Sequence, residues 1–164
     1  MKLVKTIHFD AAHKLNDYIG KCSNIHGHTW KVEISVEVPI EDIRRSSLFN
    51  GILLDFTVIK SVEEMFDHKY LNDVITVNPT AENLSSIICL MVEEFMNKKI
   101  ISLGLDYPHL QCNVCVKLWE SESSYVKVSN KEANCWLGLG TKYTYHRLIT
   151  EYIRAERIKY LNSK

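Results

Sequence analysis

Hydrophobic and polar positions alternate most cleanly in the run Trp30, Val32, Ile34, Val36, Val38 against Lys31, Glu33, Ser35, Glu37, which predicts a strand with one buried face. A looser alternation of Leu3, Ile7 and Phe9 against Lys2, Thr6 and His8 predicts an earlier strand over residues 2–9, with Asp10-Ala11-Ala12-His13 following it. The 3.6-residue period takes over at Val58, Ile59, Val62, Met65 and Phe66, predicting a helix that Asp55 can cap and that ends near Asp67-His68. A second and stronger helical pattern carries Leu84, Ile87, Ile88, Met91, Val92, Phe95 and Met96, with Thr80 as N-cap and Glu82 in the first turn, where the helix dipole favours a negative charge. Alternation returns at Leu110, Cys112, Val114, Val116 and Leu118, and after a turn at residues 121–124 a last strand is expected at Tyr125–Val128. The order is strand, strand, helix, helix, strand, strand. Beyond Asn130 a helix is expected over roughly Tyr145 to Leu161. The polar stretch from Pro39 to Asn50 reads as a connection.

Composition changes this picture little. The 164 residues suit one domain, with 46% hydrophobic and 24% charged residues. Twenty basic residues balance twenty acidic ones, so no general electrostatic pull toward nucleic acid or a membrane surface is expected. No apolar run approaches the ~20 residues of a membrane helix, and Met1 to Phe9 lacks the apolar centre of a signal peptide; a cytoplasmic location is expected. Five cysteines without framework spacing suit reduced thiols. Cys112 and Cys115, spaced as Cys-x-x-Cys, would face opposite sides of a strand and are read as packing residues.

Candidate chemistry is concentrated in Cys22-Ser23-Asn24-Ile25-His26-Gly27-His28, with His13 upstream. Counting back along the apolar face from Trp30 reaches His28 and then His26, so both rings project from one side of the strand, about 6–7 Å apart along the backbone. Three neutral imidazoles form the ligand set of a catalytic zinc, because a fourth tetrahedral position stays open. Cys22 admits two readings: a fourth ligand that closes a structural site, or a free thiolate beside the cation that moves protons. Glu120 continues the apolar row of its strand, a position that demands hydrogen-bond donors.

These residues resemble a known family. Phe9-Asp10-Ala11-Ala12-His13, Cys22 with His26-Gly27-His28, Leu54-Asp55-Phe56, Asp67-His68-Lys69-Tyr70-Leu71-Asn72, Asn78-Pro79-Thr80-x-Glu82-Asn83 and Trp119-Glu120 are similar, in order and spacing, to the 6-pyruvoyl-tetrahydropterin synthase and 6-carboxy-5,6,7,8-tetrahydropterin synthase family. The resemblance implies an α+β tunnelling fold over residues 1–130, a four-stranded antiparallel sheet with two helices on one face; the C-terminal extension over 131–164 departs from the family pattern and is expected to be helical and packed on the same domain. It implies zinc held by His13, His26 and His28, Cys22 as general base with Asp67 and His68 as its partners, and Glu120 as anchor of the pterin. The implied substrate is 7,8-dihydroneopterin triphosphate, and the implied assembly is a homo-oligomer, hexameric or built from trimers, with active sites at subunit junctions. Three residues between Cys22 and His26 resemble the branch that forms 6-carboxy-5,6,7,8-tetrahydropterin with release of acetaldehyde, on the route to queuosine. The other branch keeps the side chain as 6-pyruvoyl-tetrahydropterin. A rival of another class is a non-catalytic pterin-binding or zinc-stapled assembly protein.

Overall fold

A computed structural model describes residues 1–39, 52, 54, 56–102 and 112–138. Its centre is a long antiparallel pair, β1 (Lys2–His13) and β2 (His26–Glu37), joined by a connection that holds one 3-10 turn at Lys21–Ser23. The first strand therefore runs past Phe9 to His13, because the Asp10 to His13 segment finds partners on both sides. On one side Ala11 faces His28 and His13 faces His26 across β2. On the other, Ala11 and Ala12 pair in parallel with β3 (Lys69–Tyr70).

Between the strands lie α1 (Phe56–Phe66), the single turn α2 (Leu71–Val74) and the long α3 (Ala81–Ser102). The chain returns to the sheet as β4 (Asn113–Ser121) and β5 (Ser124–Ser129), both antiparallel to their neighbours. The sheet order is β3-β1-β2-β4-β5. The expected four-stranded antiparallel sheet is thus present, and β3 adds a fifth, parallel strand. Two residues are too short to leave an alternating signature, so β3 was not legible as a strand.

The buried face of the sheet carries Ile7, Phe9, Trp30, Ile34, Val116 and Leu118, against which α1 sets Ile59, Val62 and Phe66. Thr80 caps α3 as expected, its Oγ1 accepting from the Asn83 N–H at 3.2 Å. From Leu84 to Val92 every residue of α3 is buried, so this helix is enclosed all round and not covered on one stripe only. The far side is supplied by α4 (Asn130–Leu137), which packs on α3 and on the ends of β4 and β5, with Ala133 fully buried. This helix opens the helical extension expected over 131–164, ahead of the one helix that periodicity marked at Tyr145 to Leu161. Its signature is the capping box Ser129-x-x-Glu132, in which Ser129 Oγ accepts from the Glu132 N–H and the Glu132 carboxylate accepts from the Ser129 N–H. The onset of the C-terminal extension is therefore part of the core packing. The connection over 40–51, the cap Asp55 and the expected helix over 145–161 lie outside the described residues.

Candidate metal centre and active site

The register of β1 on β2 sets His13 directly opposite His26, and His28 stands two residues further along the same face, opposite the small side chain of Ala11. Ring centroids are 4.5 Å apart for His13 and His26, 5.2 Å for His13 and His28, and 5.0 Å for His26 and His28. One nitrogen from each ring lies within 4.8 Å of the other two. The remaining ring nitrogens are held by backbone carbonyls: His13 Nδ1 donates to Pro79 O at 2.7 Å and His26 Nδ1 to Asn24 O at 2.8 Å. A carbonyl can only accept, so each of these rings carries its proton on Nδ1 and presents the Nε2 lone pair.

The Nε2 atoms of His13 and His28 are buried without a hydrogen-bond partner, as is Nε1 of Trp30, whose ring touches both imidazoles edge-on. Buried unpaired nitrogens are costly unless something else fills the space between them. Burial pushes the His13 pKa below the ordinary histidine value, with the neighbouring rings adding to the effect against the opposing pull of Pro79 and Glu120. A neutral imidazole is the metal-binding form. The donor set, its tautomers and its unpaired atoms all fit a divalent cation of the zinc type.

Glu120 lies beside two members of this cluster. The pairing of β4 with β5 is irregular between Trp119 and Ser121, and the carboxylate reaches the triad, Oε1 lying 3.4 Å from His13 Nε2 and 3.7 Å from His28 Nε2. A row of polar side chains then holds the segment after His13 in place. Asn72 accepts from the Lys14 N–H and donates to the Lys14 carbonyl, both at 3.0 Å. Asn78 does the same for Asn16, at 2.9 and 3.1 Å. Each amide side chain imitates a neighbouring strand, and between them they set the Pro79 carbonyl on His13. Two asparagines that clamp a histidine-bearing strand leave no periodic signal, and only their place in the quoted motifs marks Asn72 and Asn78 in the sequence.

Cys22 occupies the 3-10 turn, half-buried, with its carbonyl accepting from the Leu15 N–H at 2.8 Å. Its sulfur is not in the cluster of mutually close ligand atoms formed by His13, His26 and His28. Asp67 and His68 are not brought to the triad either. They lie where α1 turns into β3, His68 with a positive φ of 56° that reverses the chain. Asp67 Oδ1 accepts from the Asp10 N–H at 3.0 Å and contacts His68 Nδ1 at 2.9 Å. The Asp10 amide first, and His68 second, hold the Asp67 carboxyl below the usual carboxylate range. Asp10 and Thr29, linked by a 2.6 Å hydrogen bond, project from the sheet face opposite to His13 and His28. With Ala11, Ala12, His28 and His68 they line an open groove of about 600 Å³. The Asp67-His68 pair thus stands at the edge of β1, bound to the Asp10 backbone and outside the cluster formed by the triad.

Comparisons with known proteins bear on the family and the fold. Residues 2–131 match the family described as 6-pyruvoyl tetrahydropterin synthase. A 6-carboxy-5,6,7,8-tetrahydropterin synthase of Synechocystis sp. is 33% identical over 98 residues, 56% of this chain and 74% of that protein. The protein of the same name from Haemophilus influenzae is 32% identical over 77 residues, covering 44% of this chain and 52% of its own length. A dihydroneopterin monophosphate aldolase of Pyrococcus furiosus is 31% identical over 103 residues, 60% of this chain and 77% of that one. Among solved structures, a catalytic-residue mutant of the Plasmodium vivax 6-pyruvoyltetrahydropterin synthase superposes with a TM-score of 0.56 at 16% identity, over 79% of this chain and 96% of that one. The Plasmodium falciparum synthase follows at 0.52 and 17%, over 78% and 97%. These likenesses show the fold, and the match over residues 2–131 shows that the chain belongs to the 6-pyruvoyl tetrahydropterin synthase family.

Proposed function

We propose that this chain converts 7,8-dihydroneopterin triphosphate to 6-carboxy-5,6,7,8-tetrahydropterin, with loss of triphosphate and acetaldehyde, in a zinc-dependent reaction on a deazapurine route. The observation that carries the reading is the convergence of three imidazoles, two of them with unpaired buried Nε2 atoms, beside a carboxylate. His13, His26 and His28 would hold the zinc, which when bound supplies Lewis acidity toward the hydroxyls of the substrate side chain. Cys22, outside the ligand cluster, is placed as the group that takes and returns a carbon-bound proton. Glu120 accepts two hydrogen bonds from the amino group and ring N–H of the pterin, which orients the side chain toward the triad.

Asp67 and His68 act as the partners of Cys22, and their place outside the cluster of the triad favours service to a neighbouring subunit in a homo-oligomer. The carboxy branch is favoured over the pyruvoyl one by the three residues between Cys22 and His26 and by the names of the Synechocystis and Haemophilus relatives. A cytoplasmic setting suits the five free cysteines, and among the described residues no helix is long and apolar enough to cross a membrane.

The test is to incubate zinc-loaded protein with 7,8-dihydroneopterin triphosphate and identify products by mass. 6-Carboxy-5,6,7,8-tetrahydropterin with acetaldehyde supports the reading. A pyruvoyl product without acetaldehyde moves the chain to the other branch, and turnover of the monophosphate alone aligns it with the aldolase relative. No consumption of either substrate overturns catalysis and leaves the zinc-stapled assembly protein.

A further inference from the structure

Trp136 stands on the last turn of α4 and is 63% exposed, so hydrophobic burial explains little of its placement. Its indole Nε1 instead donates to Asn83 Oδ1 at 2.9 Å, and Asn83 lies in the first turn of α3. An indole N–H can only donate, so the amide oxygen of Asn83 must face α4 and its NH2 group must face away. There Asn83 Nδ2 donates to the Asn78 carbonyl at 2.9 Å, which also accepts from the Thr80 N–H at 2.8 Å. These two bonds close the Asn78-Pro79-Thr80 turn. The next carbonyl along, that of Pro79, receives the Nδ1–H of His13 at 2.7 Å. The Asn78 side chain meanwhile grips the backbone of Asn16, just past β1. A continuous run of bonds therefore leads from α4 through Asn83 and the Asn78-Pro79 segment to a ring of the triad.

We infer that Trp136 is a positioning residue of the metal centre: by fixing the Asn83 amide it steadies the Pro79 carbonyl on His13 Nδ1, and so maintains the tautomer and ring direction with which His13 offers Nε2 to the cation. This role presupposes the zinc that the proposed function places on the triad. It goes beyond that reading, because the family match ends at residue 131 and Trp136 lies outside it. A carbonyl on the far nitrogen orients a ligating imidazole and raises its basicity, so whatever steadies the carbonyl steadies the ligand. Without the indole donor the Asn83 oxygen turns to water, and the turn that carries Pro79 loosens. The start of the C-terminal extension is thereby coupled to the site, and not only to the core.

Trp136→Phe keeps the exposed ring and removes the donor. Asn83→Asp keeps an acceptor for Trp136 but sets a carboxylate oxygen against the Asn78 carbonyl. Both variants and their combination are compared with wild type, and far-UV circular dichroism confirms that they fold. In metal-free protein carrying ¹⁵N-histidine, with the His13 ring signals assigned from a His13→Gln sample, hydrogen exchange at Nδ1 should quicken about 2–10-fold in each single variant, the factor one hydrogen bond commands. Co²⁺ affinity, read from its visible absorption in the absence of any pterin, should fall by about the same 2–10-fold. A tryptophan that served only to pack α4 would change the melting temperature and leave both readouts unmoved. Because the residues act in series, the double variant should lose less than the product of the two single factors. Wild-type exchange and affinity in folded Trp136→Phe, or single factors that multiply in the double variant, would overturn the relay. The other readings fail separately: wild type that binds Co²⁺ without turning over pterin discards the enzyme and leaves the relay to the two readouts, and wild type that binds no Co²⁺ discards the metal centre and the positioning role with it.

Discussion

Replacing Asn72 by alanine removes two hydrogen bonds at once, one accepted from the Lys14 N–H and one donated to the Lys14 carbonyl, both 3.0 Å long and partly buried. A typical intramolecular hydrogen bond contributes about 0.5–1.5 kcal/mol net, so the pair is worth about 1–3 kcal/mol. Partial exposure lets water reach the abandoned Lys14 groups, which favours the lower half of that range. For a chain of this size each kcal/mol moves Tm by about 2–4 °C, so Asn72→Ala should melt several degrees below wild type. Asn72→Asp is the sharper variant: one oxygen still accepts from the Lys14 N–H, but the other now faces the Lys14 carbonyl, acceptor against acceptor. Its loss should equal or exceed that of alanine. Because Lys14 adjoins His13, both variants should also bind zinc more weakly. Urea unfolding of metal-free protein at one fixed concentration is the assay, since metal and assembly would otherwise shift apparent stability by mass action. Asn72→Ala within about 0.5 kcal/mol of wild type, or Asn72→Asp more stable than Asn72→Ala, would refute the clamp.

Cys22→Ala should keep its zinc and its fold while turnover drops by about 10²–10⁴, the range for a lost general acid-base group; metal analysis beside product formation checks both, and lost zinc would return Cys22 to the ligand set. Ser129→Ala should cost about 1 kcal/mol by removing the cap of α4, measured by thermal melting, and a neutral result would show that packing on α3 alone holds that helix. Metal-free protein should lose stability on acidification. His13 is held below its ordinary pKa of 6.5, so the unfolded chain takes up a proton first; the stability is present above about pH 6.5 and declines as pH falls toward the folded-state value. Urea midpoints from pH 8 to pH 5 test the direction, and a rise on acidification would contradict it.

Periodicity made most of the elements legible because each buries one face. Trp30 to Val38 could be read as a strand and Val58 to Phe66 as a helix without knowing what covers them. What escaped had no such face: the two-residue β3, and the short α4, announced only by its capping box. The enclosure of α3 was missed for a related reason, since Ser85 and Ser86 look solvent-facing until α4 is known to lie over the helix.

The site divides in the same way. The two-residue spacing of His26 and His28 put both rings on one side of a strand by local geometry alone, and the row through Val114, Val116 and Leu118 already aimed Glu120 at the same face. That much lies in the order of the residues. The meeting of His13 with His26 depends on the register of two strands, the tautomers depend on carbonyls of Pro79 and Asn24, and the approach of Glu120 depends on the pairing of β4 with β2. Asp67 and His68 likewise stand apart from the cluster of the triad, held at the edge of β1 by the Asp10 backbone. A sequence determines which groups can share a face because backbone periods are local, but which faces meet is decided by long-range pairing, and no spacing along the chain encodes that distance.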